Sequence, residues 1–498
     1  MFYDDLIKGK APGQLALVDA QGPVTYGELE QKVDHWARIL QARGLRPGER
    51  VGLFSRNCSG FVMAYLAVIR AGGVIVPLNF QLAPREVAYI LKDAGIRFLI
   101  SRQPLDLADA LAGQGLTGVQ QFLYEDLDAP VAQAFQPVER KETDNCTIIY
   151  TSGTTGRPKG AMLTHRNLLT NARAYVDAAG QRPDDRVLCL LPMYHCYGWT
   201  VCVTSSLLLG SPIIIQTTYN FKAALRLVQA QKVTVFVGVP AVMELLVDGA
   251  DLRELESVRL FISGGASLGE GLGERFTAWC KRPLLDGYGL SETSPVVSFN
   301  RPDHTRFGSI GLPIGGVDVA ILDPEGKELP AGEKGEIGVR GPNVMLGYLN
   351  LPEATKEAFR GGWFHTEDVG YFDEDGYLFL VDRLKDMIIS SGENIYPREV
   401  EEAIQELPGV AEAAVIGVPD PLRGQAVAAW VVAEEGAALD FRAMRRTLLK
   451  QIAAYKVPKK YFKTEALPRN HLGKLLKNEL RKQTLKILEK DKTAGRAL

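Results

Sequence analysis

The chain has 498 residues, with 57 basic against 59 acidic side chains and a formal net charge of −2. Its length exceeds what one hydrophobic core usually serves, so two or more domains are expected. The near-neutral balance gives no reason to expect nucleic acid or an anionic membrane as main partner, and any phosphate affinity must be local.

The elements fall in a readable order. The opening MFYDDLIKGK is acidic and lacks the apolar stretch of a signal peptide, so a cytoplasmic location is expected. From Val24 to about Leu99 helical patterns alternate with short apolar runs: a helix near 26–43, VGLFS at 51–55, a helix near 59–71 and VIVPL at 74–78. That alternation predicts parallel-sheet α/β units. A second series, VLCLLP, PIIIQ, VTVFVGVP and VRLFISGG, predicts a second such layer. The apolar run from Trp199 to Ile215 is interrupted by Thr204, Ser205, Ser206, Gly210 and Pro212, so it reads as a buried helix, a turn and a strand, not a membrane span. Between Gly308 and Leu380 the turn signals DPEG at 323–326 and DEDG at 373–376 predict a smaller β-rich subdomain. The charged DRLKD at 382–386 suits a solvent-exposed junction. Beyond it come a helix near 397–407 with Val400, Ala403, Ile404 and Leu407 on one face, strands near 412–418 and 426–432, a helix near 441–453 and a lysine-rich tail. Cys58, Cys146, Cys189, Cys196, Cys202 and Cys280 form no C-x-x-C pair, which argues against a disulfide framework and a zinc site and fits a reducing compartment.

Five segments carry candidate chemistry. In YTSGTTGRPKG at 150–160, Gly153, Gly156 and Gly160 let backbone N–H groups approach phosphate oxygens. Thr151, Ser152, Thr154 and Thr155 add hydroxyls, and Lys159 adds a point charge. Alone, such a run is more readily a solvated turn than a ligand loop, and it is not the Walker pattern, because Lys159 is followed by Gly160. In DGYGLSETSP at 286–295, Gly287 and Gly289 permit a tight strand exit, Tyr288 offers a face for a purine, and Glu292 can hold a hard divalent cation. Without further context this is a strand exit with Ser291 capping a helix. Asp368 in WFHTEDVG could accept both hydroxyls of a ribose, although loop aspartates usually form turns or caps. Lys474 follows a Pro-to-Gly loop in PRNHLGKLLKNEL, where an unaided lysine is normally just solvated. His195 in LPMYHCYGW reads on its own as a packed or surface histidine.

Taken whole, YTSGTTGRPKG resembles the signature loop of the adenylate-forming superfamily, which contains acyl-CoA synthetases, aryl-CoA ligases, luciferases and peptide-synthetase adenylation domains. The similarity extends from about Val24 to Lys477. It implies an α/β fold: a large N-terminal adenylating domain, 1–381, of two α/β layers and the β-rich subdomain at about 308–380; a hinge at 382–386; and a small mobile α+β domain, 387–498. It implies that Thr151, Ser152, Gly153, Thr154, Thr155, Gly156 and Lys159 bind the ATP phosphates. Gly264, Gly265, Ala266, Asp286, Gly287, Tyr288 and Gly289 would flank adenine, Asp368 and Arg383 would face the ribose, and Glu292 would hold Mg²⁺. Many members have glycine where this chain has Glu367, and Asp382 also replaces a common glycine. Lys474 matches the catalytic lysine and Lys385 the hinge. Ser391, Gly392 and Glu393 in the SSGEN turn at 390–394 would meet the pantetheine of coenzyme A. His195 matches residues beside the substrate carboxylate.

The implied reaction has two steps. A carboxylate attacks the α-phosphate of Mg-ATP, giving an acyl-adenylate and pyrophosphate; the thiol of coenzyme A then displaces AMP. GYGLSETSPVVSFN is most similar to bacterial fatty acyl-CoA ligases, and Val237, Val239, Val296 and Val297 would make an apolar pocket for a medium- or long-chain fatty acid. Tyr197 and Trp199 could instead shorten the pocket to fit a ring, the aryl-CoA ligase alternative. A malonate-type ligase would need a buried cation, for which Arg306 is a weak candidate, and a carrier-protein adenylation module activating amino acids would need an acid that 191–203 lacks. A non-catalytic nucleotide-binding relative would be expected to have lost Lys474 or Glu292. The partners expected are a small carboxylate, ATP and coenzyme A, with no nucleic acid and no transmembrane segment; the sequence is compatible with a homodimer.

Overall fold

The structure is a computed structural model. It describes residues 1–151, 158–266, 268, 271–390, 393–420, 423–469 and 475–493, with only the backbone at 393–394 and 489–493. The chain divides into two compact units, Met1–Val319 with Val339–His365, and Ala320–Gly338 with Thr366–Leu498.

The first unit is built on two sheets. One has nine strands, whose parallel centre runs Leu284–Gly289, Leu260–Ser263, Val235–Gly238, Val187–Cys189, Ile213–Ile215, Leu15–Asp19. Winding reverses at Val187–Cys189: the next strand in sequence, Ile213–Ile215, lies on one side of it and Val235–Gly238 on the other. Such a reversal opens a crevice beyond the C-terminal ends of the strands, where open α/β sheets bind ligands. The other sheet has seven strands, in the order Gly347–Tyr348, Lys159–Thr164, Asn145–Thr151, Val74–Leu78, Arg50–Phe54, Phe98–Ser101, Gln120–Leu123. Val74–Leu78 is buried throughout, as a parallel strand covered on both faces must be. The helix Ser59–Arg70 is apolar and buried on nearly every side, because it touches strands of both sheets. Helix starts follow capping chemistry: the Thr25 hydroxyl accepts from Glu28 N–H, and the Glu28 carboxylate accepts in return from Thr25 N–H at 2.8 Å.

The apolar run after His195 folds as a π-helical segment, Trp199–Thr204, continued by the α-helix Ser205–Leu209, a left-handed Gly210 and the strand Ile213–Ile215. Its buried hydroxyls are satisfied one turn back, Ser205 Oγ donating to Val201 O at 2.6 Å and Ser206 Oγ to Cys202 O at 2.7 Å. Among the described residues no helix is long and apolar enough to cross a membrane. All six cysteines are free and buried.

In the second unit the hairpin Val410–Asp420 and Gly424–Ala433 is longer than the apolar pattern alone suggests, since its ladder continues to Asp420↔Gly424 beside the turn. Helix Pro397–Gln405 drives Val400, Ala403 and Ile404 into one face of this sheet against Val415, Val427, Val431 and Leu448. Helix Lys477–Thr493 covers the other face, where Trp430 stacks on Phe462 and its indole N–H donates to Thr484 Oγ1 at 2.9 Å. The β-rich stretch is divided, Ala320–Gly338 and the segment from Thr366 belonging to this unit: Gly370 packs against Ile337 so tightly that a Cβ would fall 2.9 Å from it, and Thr366 Oγ1 donates to Ile337 O at 2.7 Å.

Candidate active site

The phosphate-loop candidate sits on a hairpin. Asn145–Thr151 and Lys159–Thr164 pair antiparallel with Thr151 opposite Lys159, so the segment joins two strands instead of leading from strand to helix as a Walker loop does. Ser152, Gly153, Thr154, Thr155 and Gly156 lie outside the described residues. Gly160 is needed for packing, since a Cβ there would stand 2.8 Å from Ile148 Cγ2.

Beside the hairpin stands Glu292, in the short turn Ser291–Thr293 that follows the strand Leu284–Gly289. The two glycines of that strand exit have a steric cause. A Cβ on Gly289 would lie 2.0 Å from Pro295 O, and one on Gly287 would lie 2.5 Å from Phe299 Cδ2 of the returning strand. Asp286 turns its carboxylate onto the same exit, Oδ1 accepting from Gly287 N–H at 3.0 Å. Tyr288 is nearly buried and pairs with Ser298. The buried Glu292 carboxylate accepts a hydrogen bond from Tyr348 Oη at 2.9 Å, and Lys159 Nζ lies 5.1 Å from the centroid of the same tyrosine ring. The candidate phosphate-loop lysine and the candidate cation-site glutamate thus meet on one side chain.

Two further candidates meet at the switch point of the nine-stranded sheet. Tyr197 Oη donates to Gly238 O at 3.1 Å, at the end of Val235–Gly238, and its ring lies so close to Gly264 that a Cβ there would be 3.0 Å from Tyr197 Cζ. Val239 borders the same point, 3.9 Å from a Cβ on the left-handed Gly265. Ala266 follows, half-buried. His195 caps the turn that carries Tyr197, its Nδ1 accepting from Tyr197 N–H at 3.2 Å. Cys196 Sγ lies 3.2 Å from Ser291 Oγ, tying this turn to the one that holds Glu292. Burial pushes the Cys196 thiol up to about 12, so it is no thiolate nucleophile at neutral pH. Trp199, Val237 and Val297 are committed to the interior: the indole stacks on Tyr65, ring centroids 3.9 Å apart, and packs beside Phe61. Val296 is buried as well. Truncating Trp199 would open a core cavity, at a cost of about 3–5 kcal/mol, so Tyr197 is the cleaner probe of substrate preference.

In the second unit Asp368 and Arg383 stand opposite each other across an antiparallel pair, Arg383 Nε 3.3 Å from Asp368 Oδ1. Glu367 takes the left-handed φ of 59°, a conformation that favours glycine, and its N–H donates to Glu336 Oε1 at 3.0 Å. Asp382 binds two backbone groups, Oδ1 accepting from Arg383 N–H at 2.7 Å and Oδ2 from Arg398 N–H at 2.9 Å in the first turn of Pro397–Gln405. A glycine could do neither. Lys385 is exposed in the turn Leu384–Asp386. The partly buried pair Lys477–Glu401, 2.8 Å, and Arg481–Asp386, 2.9 Å, anchor the last helix. Glu393 lies in the strand Glu393–Ile395; Ser391, Gly392 and Lys474 are outside the described residues.

The sequence profile of the AMP-binding enzyme family matches residues 8–349, and that of the AMP-binding enzyme C-terminal domain matches 399–474. The chain belongs to the AMP-binding enzyme family. This adenylate-forming enzyme is 40% identical over 467 residues to a feruloyl-CoA synthase of Amycolatopsis sp, covering 92% of this chain and 94% of the relative. It is 35% identical over 493 residues to a long-chain-fatty-acid–CoA ligase of Bacillus subtilis, covering 89% and 87%. Its fold matches ATP-bound MatB from Rhodopseudomonas palustris with a TM-score of 0.91 at 37% identity, over 97% of this chain and 99% of that one.

Among the described residues of the enzyme no three His, Cys, Asp or Glu side chains converge as a metal cage. A single buried carboxylate fits Mg²⁺, which is usually held by one or two carboxylates together with substrate phosphates and water. Tyr348 was absent from the sequence-based candidates, although its Gly-Tyr step before a Pro-started helix was visible; nothing in the sequence placed it beside Glu292. One expected result arises at the junction. Lys385→Pro should slow consumption of coenzyme A while pyrophosphate release stays near the parent rate, because a fixed φ at 385 hinders a hinge motion without touching a ligand. Normal coenzyme A consumption in that variant would remove the hinge from Lys385.

Proposed function

We propose that the enzyme is an ATP-dependent acyl-CoA ligase for a carboxylate with an apolar tail, a medium- or long-chain fatty acid. The observation that carries the ATP-dependent half is the meeting of Lys159 and Glu292 on Tyr348, which sets a cation and an anion around one position beside the phosphate-loop hairpin. The carboxylate substrate is already ionised at neutral pH and needs no general base. Its oxygen attacks the α-phosphorus, the bond to the β-phosphate oxygen breaks, and pyrophosphate leaves. What the protein must do is align two anions and neutralise the charge that develops. Lys159, the loop amides and Lys474 are assigned to the phosphates, Asp368 and Arg383 to the ribose, and the Gly264–Ala266 stretch with Tyr288 to adenine. Glu292 would hold Mg²⁺, which neutralises phosphate charge. His195, held by its cap on Tyr197 N–H, is assigned to the carboxylate end of the substrate. In the second half-reaction rotation about Lys385 replaces Lys474 by the 390–394 turn, and the thiol of coenzyme A attacks the acyl carbon with loss of AMP.

Val239, which borders the switch point, supports the fatty acid reading. If it holds, activity rises from acetate to at least octanoate, each buried methylene adding up to about 0.8 kcal/mol, or roughly fourfold, in kcat/KM. One observation favours a second reading: the Tyr197 ring, pinned by Gly238 O and laid over Gly264, is a flat wall suited to an aromatic acid, and a feruloyl-CoA synthase is a relative at 40% identity. Pyrophosphate release with a panel of straight-chain acids, benzoate and hydroxycinnamates decides between them. A hydroxycinnamate ahead of every fatty acid in kcat/KM would make the enzyme an aryl-CoA ligase.

A further inference from the structure

We infer that Tyr348 is a positioning residue for the metal–triphosphate of ATP, setting the Glu292 carboxylate and the Lys159 ammonium at one site; this rests on the ATP-dependent reading above. Three sets of contacts lead to it.

The first is the backbone on which Tyr348 is carried. Met345 N–H donates to Glu292 O at 2.8 Å, so the segment begins on the backbone of the glutamate itself. Leu346 N–H donates to Met162 O at 2.9 Å and Leu349 N–H to Gly160 O at 2.8 Å, while Tyr348 pairs with Ala161 on the strand that leaves the phosphate loop. Residues 345–349 therefore form a strap from the glutamate turn to the loop hairpin. The second is the fixing of the tyrosine on that strap. Its N–H donates to Thr355 Oγ1 at 2.9 Å, and Gly347 before it has φ 142° with room for no Cβ, which would fall 2.6 Å from Thr355 Cγ2.

The third is the phenol, which donates to Glu292 Oε1 at 2.9 Å while its ring faces Lys159 Nζ at 5.1 Å. A direct ion pair between Glu292 and Lys159 would let the two charges cancel. A phenol orients a carboxylate by a hydrogen bond without neutralising it, and a ring face holds an ammonium through its quadrupole without taking its charge. Both groups are thereby aimed, the anion for a hard cation and the cation for phosphate oxygens. Hydroxyl partners that orient a metal-bound carboxylate typically matter about 10- to 100-fold in metal affinity.

The test uses Tyr348→Phe, which keeps the ring, and Tyr348→Leu, which removes both functions. In the full-length enzyme Tyr348→Phe should raise the free Mg²⁺ needed for half-maximal pyrophosphate release about tenfold, with KM for ATP at saturating Mg²⁺ unchanged. Tyr348→Leu should show the same metal shift and, in addition, a rise of about fivefold in KM for ATP from the lost ring contact. A readout independent of turnover is calorimetric binding of Mn²⁺ in the presence of a non-hydrolysable ATP analogue, expected to weaken about tenfold in both variants, with the ligand-free thermal midpoint of Tyr348→Phe at the parent value. A stable Tyr348→Phe variant with parental Mn²⁺ affinity and parental Mg²⁺ dependence would overturn the inference. So would a lowered thermal midpoint as the sole change, because that outcome makes the hydroxyl structural. If the parent enzyme releases pyrophosphate with no carboxylate but Mn²⁺ binding still weakens in Tyr348→Phe, the ligase reading fails and the role of Tyr348 stands.

Discussion

Lys474→Ala is expected to lower pyrophosphate release about 10²–10³-fold, the usual loss when one preorganised stabiliser of developing charge is removed, while thioester formation from a supplied acyl-adenylate continues. The lysine is needed only where charge grows on the α-phosphate, so its removal should separate the two half-reactions. Two observations motivate the expectation: the family's C-terminal profile extends through residue 474, and in sequence Lys474 stands just ahead of the anchored helix Lys477–Thr493. Both half-reactions are measured on the same preparation, one by pyrophosphate and one by coenzyme A consumption. Equal losses in the two would take the catalytic role from this residue.

The second large effect is expected for Glu292→Gln, a substitution that removes one unit of charge with little change in size. The amide oxygen can still accept from Tyr348 Oη, so the turn Ser291–Thr293 should keep its place and the thermal midpoint should hold. Pyrophosphate release should nevertheless fall about a hundredfold at limiting magnesium, because a neutral amide is a poor ligand for a hard cation. Raising Mg²⁺ should recover part of the loss. A Mg²⁺ titration curve identical to the parent's would assign Glu292 to the fold instead of the metal.

The two departures from the family pattern show how far residue identity can be read before the fold is known. Glu367 stands where many members have glycine, and the structure gives it the left-handed backbone that glycine serves, so a non-glycine residue is carried there with a conformational penalty of about 1–2 kcal/mol. Asp382 also replaces a common glycine, yet here the new side chain is used, joining Arg383 N–H to the start of the helix Pro397–Gln405. Sequence alone identifies both substitutions and cannot tell that one strains the chain and the other caps a helix. The difference lies in φ and in which backbone donors come within reach.

Local chemistry was legible throughout. Alternating apolar runs and helical periodicity gave the strands VIVPL and VTVFVGVP and the helices at Tyr26–Ala42 and Pro397–Gln405, because the periodicity of burial is a property of short segments. The glycine- and hydroxyl-rich loop and the glycine pair before Glu292 were legible for the same reason. What the sequence could not contain was distance between segments far apart in the chain. Trp199 looked like a pocket residue beside His195, but a π-helical turn sends it onto Tyr65 and into the core. Tyr348 looked like nothing, and a two-residue strand beside the loop hairpin puts its hydroxyl on Glu292, 56 residues earlier, and its ring under Lys159. Composition, caps and motifs follow from neighbours in sequence; which side chains share a site is decided by sheet order and strand register, which depend on packing of the whole unit.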